Sequence, residues 1–125
     1  MSLLLDTHAL LWWLADDPEL GQEARVAIAE AETLVYVSSA SVWEIAIKRK
    51  LGKLVAPDDL LAELERQRFV QLPLSAAEAW LAGHLDVHHT DPFDRAMVAQ
   101  ALVHGLRVVT RESSFAEYGV DVLRT

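Results

Sequence analysis

Ser2-Leu3-Leu4-Leu5-Asp6 sets three leucines in a row and closes them with an acid. An unbroken apolar run of this length suits a buried strand, here one that carries a carboxylate at its C-terminal end. Thr7 to Trp13 then turns helical, Asp17-Pro18 breaks that segment, and Gly21 to Ala31 follows with amphipathic helical spacing. A second strand fits Thr33-Leu-Val-Tyr-Val37. Ser38-Ser-Ala-Ser41 offers caps for a helix running to Leu51, with Gly52 as its stop.

Pro57 opens a further helix through Arg66, and Phe69-Val-Gln-Leu72 is a strand closed by Pro73. Ser75 caps a helix to Leu85. Asp91-Pro92 starts a helix to His104, because proline is favoured at the first helical position, where an N–H would go unpaired anyway. Gly105 ends it. Arg107-Val-Val-Thr110 is strand-like, a turn or short helix spans Ser113 to Tyr118, and a last strand fits Val120 to Leu123. Strands alternating with helices imply an α/β fold: a central, mainly parallel sheet with right-handed crossovers and helices on both faces.

The 125 residues fit one domain spanning 1–125, with enough apolar material, 52%, for a core and no low-complexity stretch. There is no cysteine, so disulfides and thiolate metal sites are excluded, and a reducing cytoplasm is compatible. The longest apolar run, Ala9 to Ala15, falls far short of the roughly 18 residues that span a bilayer, so no membrane association is expected. Asp6 and His8 interrupt any secretory hydrophobic segment. A net charge of −8 argues against broad attraction to nucleic acid; a basic surface for RNA would have to be local.

In open parallel sheets, ligands bind outside the C-terminal ends of the strands. Asp6 follows the first strand and Glu112 the fourth, Glu44 lies in the helix after the second, and Asp91 and Asp94 begin the helix that leads into the fourth. These acids share one edge by topology. Each also has a plain structural use. Asp6 can cap the helix at Thr7, Asp91 with Asp94 resembles a capping box, and Glu112 can be a solvated loop charge. Glu44 completes a box with Ser41 and can pair with Lys48 four residues on.

Capping explains Glu44 poorly, because its neighbours Val42, Trp43, Ile45, Ala46 and Ile47 are apolar and a buried carboxylate needs compensation. A hard cation, Mg²⁺ or Mn²⁺, would supply it, and such ions serve phosphoryl chemistry. His84 and His88 have the spacing of a helical metal pair, but the helix ends near Leu85 and there is no H-E-x-x-H. His8, His88 and His89 are of a residue type that can contact substrate, but loop or surface roles are expected for them, and a structural one for His104. Lys48 in the basic run Lys48-Arg-Lys-Leu-Gly-Lys53, and Arg95 beside Asp94, are within reach of a phosphate bound at the acids. Trp12, Trp13, Trp43 and Trp80 are expected in the core or in a dimer contact.

Four segments together resemble the PIN-domain ribonucleases, in particular the VapC-type toxins of prokaryotic toxin–antitoxin pairs. They are Leu3-Leu-Leu-Asp-Thr-His8 with Leu-Leu-Trp13; Ser39-Ala-Ser-Val-Trp-Glu-Ile-Ala-Ile-Lys48 running to Leu51-Gly-Lys53; Asp91-Pro-Phe-Asp-Arg95 with Ala99-Gln-Ala101; and Val108-Val-Thr110. The resemblance covers essentially the whole chain. It implies a three-layer α/β/α fold, Mg²⁺- or Mn²⁺-dependent cleavage of single-stranded or loop RNA, dimerisation, and inhibition by a cognate antitoxin. By position, Asp6, Glu44 and Asp94 look like the family's first three acids, with Asp91 an extra acid of the Asp-Pro-Phe-Asp branch. Where the family usually has Thr-x-Asp, this chain has Thr110-Arg-Glu112, one methylene longer, which puts a second metal position in doubt. Position and resemblance together give the expected site: Asp6, Asp94, Asp91 and Glu112 as metal ligands, Asp6, Glu44 and Asp94 as catalytic, and Lys48, Arg95 and Thr110 at the substrate. Two alternatives stand beside it. One is a PIN-like module that binds RNA or protein without cutting. The other is a haloacid-dehalogenase-like phosphatase, which would need a second Asp at position 8, where this chain has His.

Overall fold

The computed structural model describes residues 1–125. Five strands form one sheet: β1 (Ser2–Leu5), β2 (Leu34–Ser38), β3 (Val70–Leu72), β4 (Arg107–Thr110) and β5 (Val122–Arg124), in the order β3-β2-β1-β4-β5. Every pairing is parallel. The leucine run is the central strand. Leu3 and Leu5 face one apolar cluster and Leu4 the other, all three fully buried, which is why the run shows no polar alternation.

The helices are α1 (Thr7–Leu14), α2 (Gln22–Ala29), α3 (Ser39–Lys50), α4 (Leu60–Arg66), α5 (Ala76–His84), α6 (Pro92–His104) and α7 (Ser114–Glu117). Residues of α1, α2, α3 and α4 pack in the cluster with Leu3 and Leu5; those of α6 and α7 pack in the cluster with Leu4. This is the expected three-layer arrangement. Six consecutive residues of α6, Ala96 to Ala101, are buried, and three of them are alanine, so the helix fits closely among its neighbours.

Local chemistry moved several boundaries. α4 begins at Leu60 rather than Pro57 because Asp59 accepts from the Ala62 amide, 3.2 Å. β5 begins after Val120, which is buried in the second cluster instead of pairing. Ser38, not Ser41, caps α3, so the expected Ser41–Glu44 capping box does not form and Glu44 is released for other contacts. Trp12 and Trp13 are half-buried against the first cluster, but Trp43 and Trp80 are 64% and 73% exposed, against the expectation for a core.

β1 pairs β2 on one side and β4 on the other, and chain order reverses there. The switch point opens at the C-terminal edge, between Asp6 and the end of β4.

Candidate active site

The sheet builds the first part of this edge. Leu5 lies opposite Val109, so the next residues, Asp6 and Thr110, are adjacent by register. Asp6 Oδ1 accepts from the Ala9 amide at 2.8 Å, capping α1, and Oδ2 accepts from the Thr110 hydroxyl at 2.6 Å. The cap and the functional reading are therefore both true of Asp6. Burial nevertheless raises its pKa, outweighing those two hydrogen bonds. Thr110 in turn accepts from the Glu112 amide, 3.0 Å, which ties the Glu112 loop to the same strand end.

Glu44 is buried on α3, where it crosses this edge. Its Oε1 accepts from the Thr7 hydroxyl at 2.6 Å and its Oε2 from Lys48 Nζ at 2.5 Å. The hydrogen bond to Glu44 raises the Lys48 pKa, so the ammonium stays charged. The i,i+4 pair expected from the sequence is present and partly buried.

α6 brings the remaining two acids. Asp91 caps it, its Oδ1 accepting from the Phe93 and Asp94 amides at 2.8 and 3.2 Å. Asp94 does not return the contact, so the capping box is half made; its Oδ2 instead meets His89 Nε2 at 2.8 Å. Burial and the neighbouring Asp91, Asp6, Glu44 and Glu112 carboxylates push the Asp94 pKa up to about 8. Burial is the larger cause, and the four carboxylates add to it in the same direction.

Together Asp6, Thr7, His8, Glu44, Lys48, His89, Asp91, Asp94 and Glu112 line a hollow of about 160 Å³ with no apolar side chain. All five acids expected at this edge line it, and so does Lys48. The residues fit a hard cation in kind, being five carboxylates crowded around one hollow whose lining holds a single lysine, Lys48. No three of them are yet gathered as a preformed cage.

Two expected substrate contacts are corrected. Arg95 turns away from the acids and donates to the main-chain oxygens of Ala82, Leu85, His89 and Asp86 at 2.8, 2.8, 3.1 and 3.2 Å. Thr110 is fully buried and gives its hydroxyl proton to Asp6. Thr7 enters the site without having been singled out for it, and His8 and His89 line it where loop or surface roles were expected. A hydroxyl directly after the strand-end acid was the available signal for Thr7; for His89 it was a ring two residues before Asp91-Pro92. His84 bonds to the Trp80 carbonyl and His104 to Glu78, so neither belongs to the site.

The all-parallel sheet with an acid-lined switch point agrees with the three-layer fold expected from the resemblance, and residues 3–121 match the PIN domain model. The chain belongs to the PIN-domain family, which sets the phosphatase alternative aside. It is 31% identical to Ribonuclease VapC22 of Mycobacterium tuberculosis (strain ATCC 25618 / H37Rv) over 89% of this chain and 87% of that protein. Its fold is similar to VapBC2 from Rickettsia felis bound to a promoter DNA fragment, with TM-score 0.72, 14% identity, and 100% and 99% of the two chains covered. DNA-bound VapBC from Salmonella typhimurium gives TM-score 0.69 at 21% identity, covering 99% and 98%.

Proposed function

We propose that this chain is a divalent-metal-dependent endoribonuclease and the toxin of a toxin–antitoxin pair, acting in the cytoplasm as one domain. The observation that carries the reading is five carboxylates, Asp6, Glu44, Asp91, Asp94 and Glu112, gathered around one hollow without apolar lining, a crowding that with burial pushes the Asp94 pKa up to about 8. Family membership and the 31% identity to a ribonuclease support the substrate class.

In this reading Asp6 and Asp94, with Asp91 and Glu112 at the rim, hold Mg²⁺ or Mn²⁺. When bound, the cation neutralises charge developing on the phosphodiester and acidifies the attacking water. Thr110 holds Asp6 in place and Thr7 holds Glu44. Glu44 orients the water or accepts its proton, and Lys48 beside it contacts the phosphate. Arg49 is taken by Asp58, but Lys50 and Lys53 are exposed and have no carboxylate partner, so the end of α3 is the local basic surface that an acidic chain needs for RNA.

A cognate antitoxin and a homodimer belong to the same proposal. The exposed Trp43 and Trp80 favour a dimer surface on the α3 and α5 side; sedimentation of a Trp80→Ala variant as monomer, with wild type dimeric, is the expected result.

Asp6→Asn and Asp94→Asn test the nuclease. Asparagine caps a helix about as well as aspartate but is a far poorer ligand for a hard cation. Both variants are expected to melt as folded proteins and to lose Mn²⁺-dependent cleavage of single-stranded RNA. Cleavage at the wild-type rate would reduce these aspartates to caps. A wild type that cuts no RNA with either cation would favour the binding module.

A further inference from the structure

We propose that His89 is the positioning residue for Asp94, holding one carboxylate oxygen so that the other is free for the cation, and that Arg95 and Tyr118 build the loop that carries it. This rests on the metal-dependent reading above. The His89 ring lies between two fixed groups. The Asp91 amide donates to Nδ1 at 3.1 Å, so the neutral ring keeps its proton on Nε2, which faces Asp94 Oδ2 at 2.8 Å. With both nitrogens engaged, the ring is not itself a ligand. Asp94 Oδ1 has no protein partner, and it is the oxygen left for a metal.

The loop between α5 and α6 has no helix or strand to hold it, yet it must place one ring accurately. Arg95 supplies the frame. Reaching back from the first turn of α6, its guanidinium binds the carbonyls of Ala82 and Leu85 at the end of α5 and those of Asp86 and His89 in the loop. Five N–H donors in a rigid fork suit such a cluster of carbonyls, and lysine would reach only part of it. From the other side the Tyr118 hydroxyl accepts the His88 and His89 amides at 3.1 and 3.0 Å. The backbone on both sides of the ring is thereby fixed. Hydrogen bonds that orient a metal-binding carboxylate typically change metal affinity by about 10–100-fold when removed.

Calorimetric titration with Mn²⁺ alone, without RNA, tests this on wild type, His89→Ala, His89→Gln, Arg95→Lys and the His89→Ala/Arg95→Lys double variant. His89→Ala is expected to bind Mn²⁺ about 10–100-fold more weakly. Glutamine can place an amide N–H where Nε2 stood, so His89→Gln should recover most of the loss. Arg95→Lys should weaken binding by itself yet add little to His89→Ala, because it acts through the same ring. Nitrogen-15 spectra of wild type should show a protonated Nε2 and a bare Nδ1. Wild-type affinity in His89→Ala, no recovery in His89→Gln, losses that multiply in the double variant, or the opposite tautomer would each overturn the proposal. A wild type that binds no Mn²⁺ would overturn the metal reading and this inference with it, an outcome distinct from the others.

Discussion

The two sides of the acidic hollow are built differently. On the Asp6 side, strand register does the positioning: β1 and β4 are hydrogen-bonded neighbours, and Asp6 meets Thr110 because Leu5 lies opposite Val109. On the Asp94 side nothing repeats. A loop is held by one guanidinium and one phenol hydroxyl, and a single imidazole transmits that order to the carboxylate. The lesson is that one half of the site comes with the sheet, whereas the other depends on a few side chains that bind backbone. Perturbing the first should disturb fold and function together, and perturbing the second should affect mainly function.

The largest effect is expected where the sides meet. Glu44→Gln removes the proposed proton acceptor, and RNA cleavage should fall about 10²–10⁴-fold. Mn²⁺ affinity in that variant should stay near wild type, since Asp6 and Asp94 remain. If kcat is unchanged, Glu44 serves only to anchor Lys48.

Thr110→Val comes next and probes the sheet side. Removing the donor to buried Asp6 should weaken Mn²⁺ by about 10–100-fold, and loss of a hydrogen bond to a charged group should lower stability by about 1.5–3 kcal/mol. Calorimetry and chemical denaturation read the two separately. A change in affinity with no change in stability would erase the contrast between the two sides.

A smaller effect concerns pH. The folded Asp94 carboxyl keeps its proton up to about 8, while in the unfolded chain it loses it near the ordinary value of 3.8. Between those values the folded state binds more protons, so the Asp94 contribution makes metal-free stability fall as pH rises from about 4 to about 8. Asp94→Asn abolishes this, and its melting temperature should gain on wild type across that window. Parallel melting curves against pH would mean that Asp94 is not crowded by the other acids.

The same contrast explains what was legible in the sequence. The leucine run, the Asp91-Pro92 helix start and the strand-end acids follow from burial, ring geometry and topology, and each lies where the sequence places it. Glu44 was legible as an acid with too few polar neighbours, although Ser38 displaced its supposed capping partner. Arg95 and His89 were not, because a side chain binding loop carbonyls or a carboxylate one turn on leaves no periodicity to read. Adjacency to Asp94 pointed Arg95 toward the phosphate, whereas the carbonyls at the end of α5, unpaired within their own helix, claim it.

The most direct test of the crowded-carboxylate account is to count the protons released when Mn²⁺ binds at pH 7, by calorimetry in buffers of differing ionisation enthalpy. With Asp94 held at about 8 in the free protein and ionised when it binds the cation, close to one proton should leave per ion bound, and Asp94→Asn should abolish that release. Binding without proton release, or release undiminished in Asp94→Asn, would contradict it.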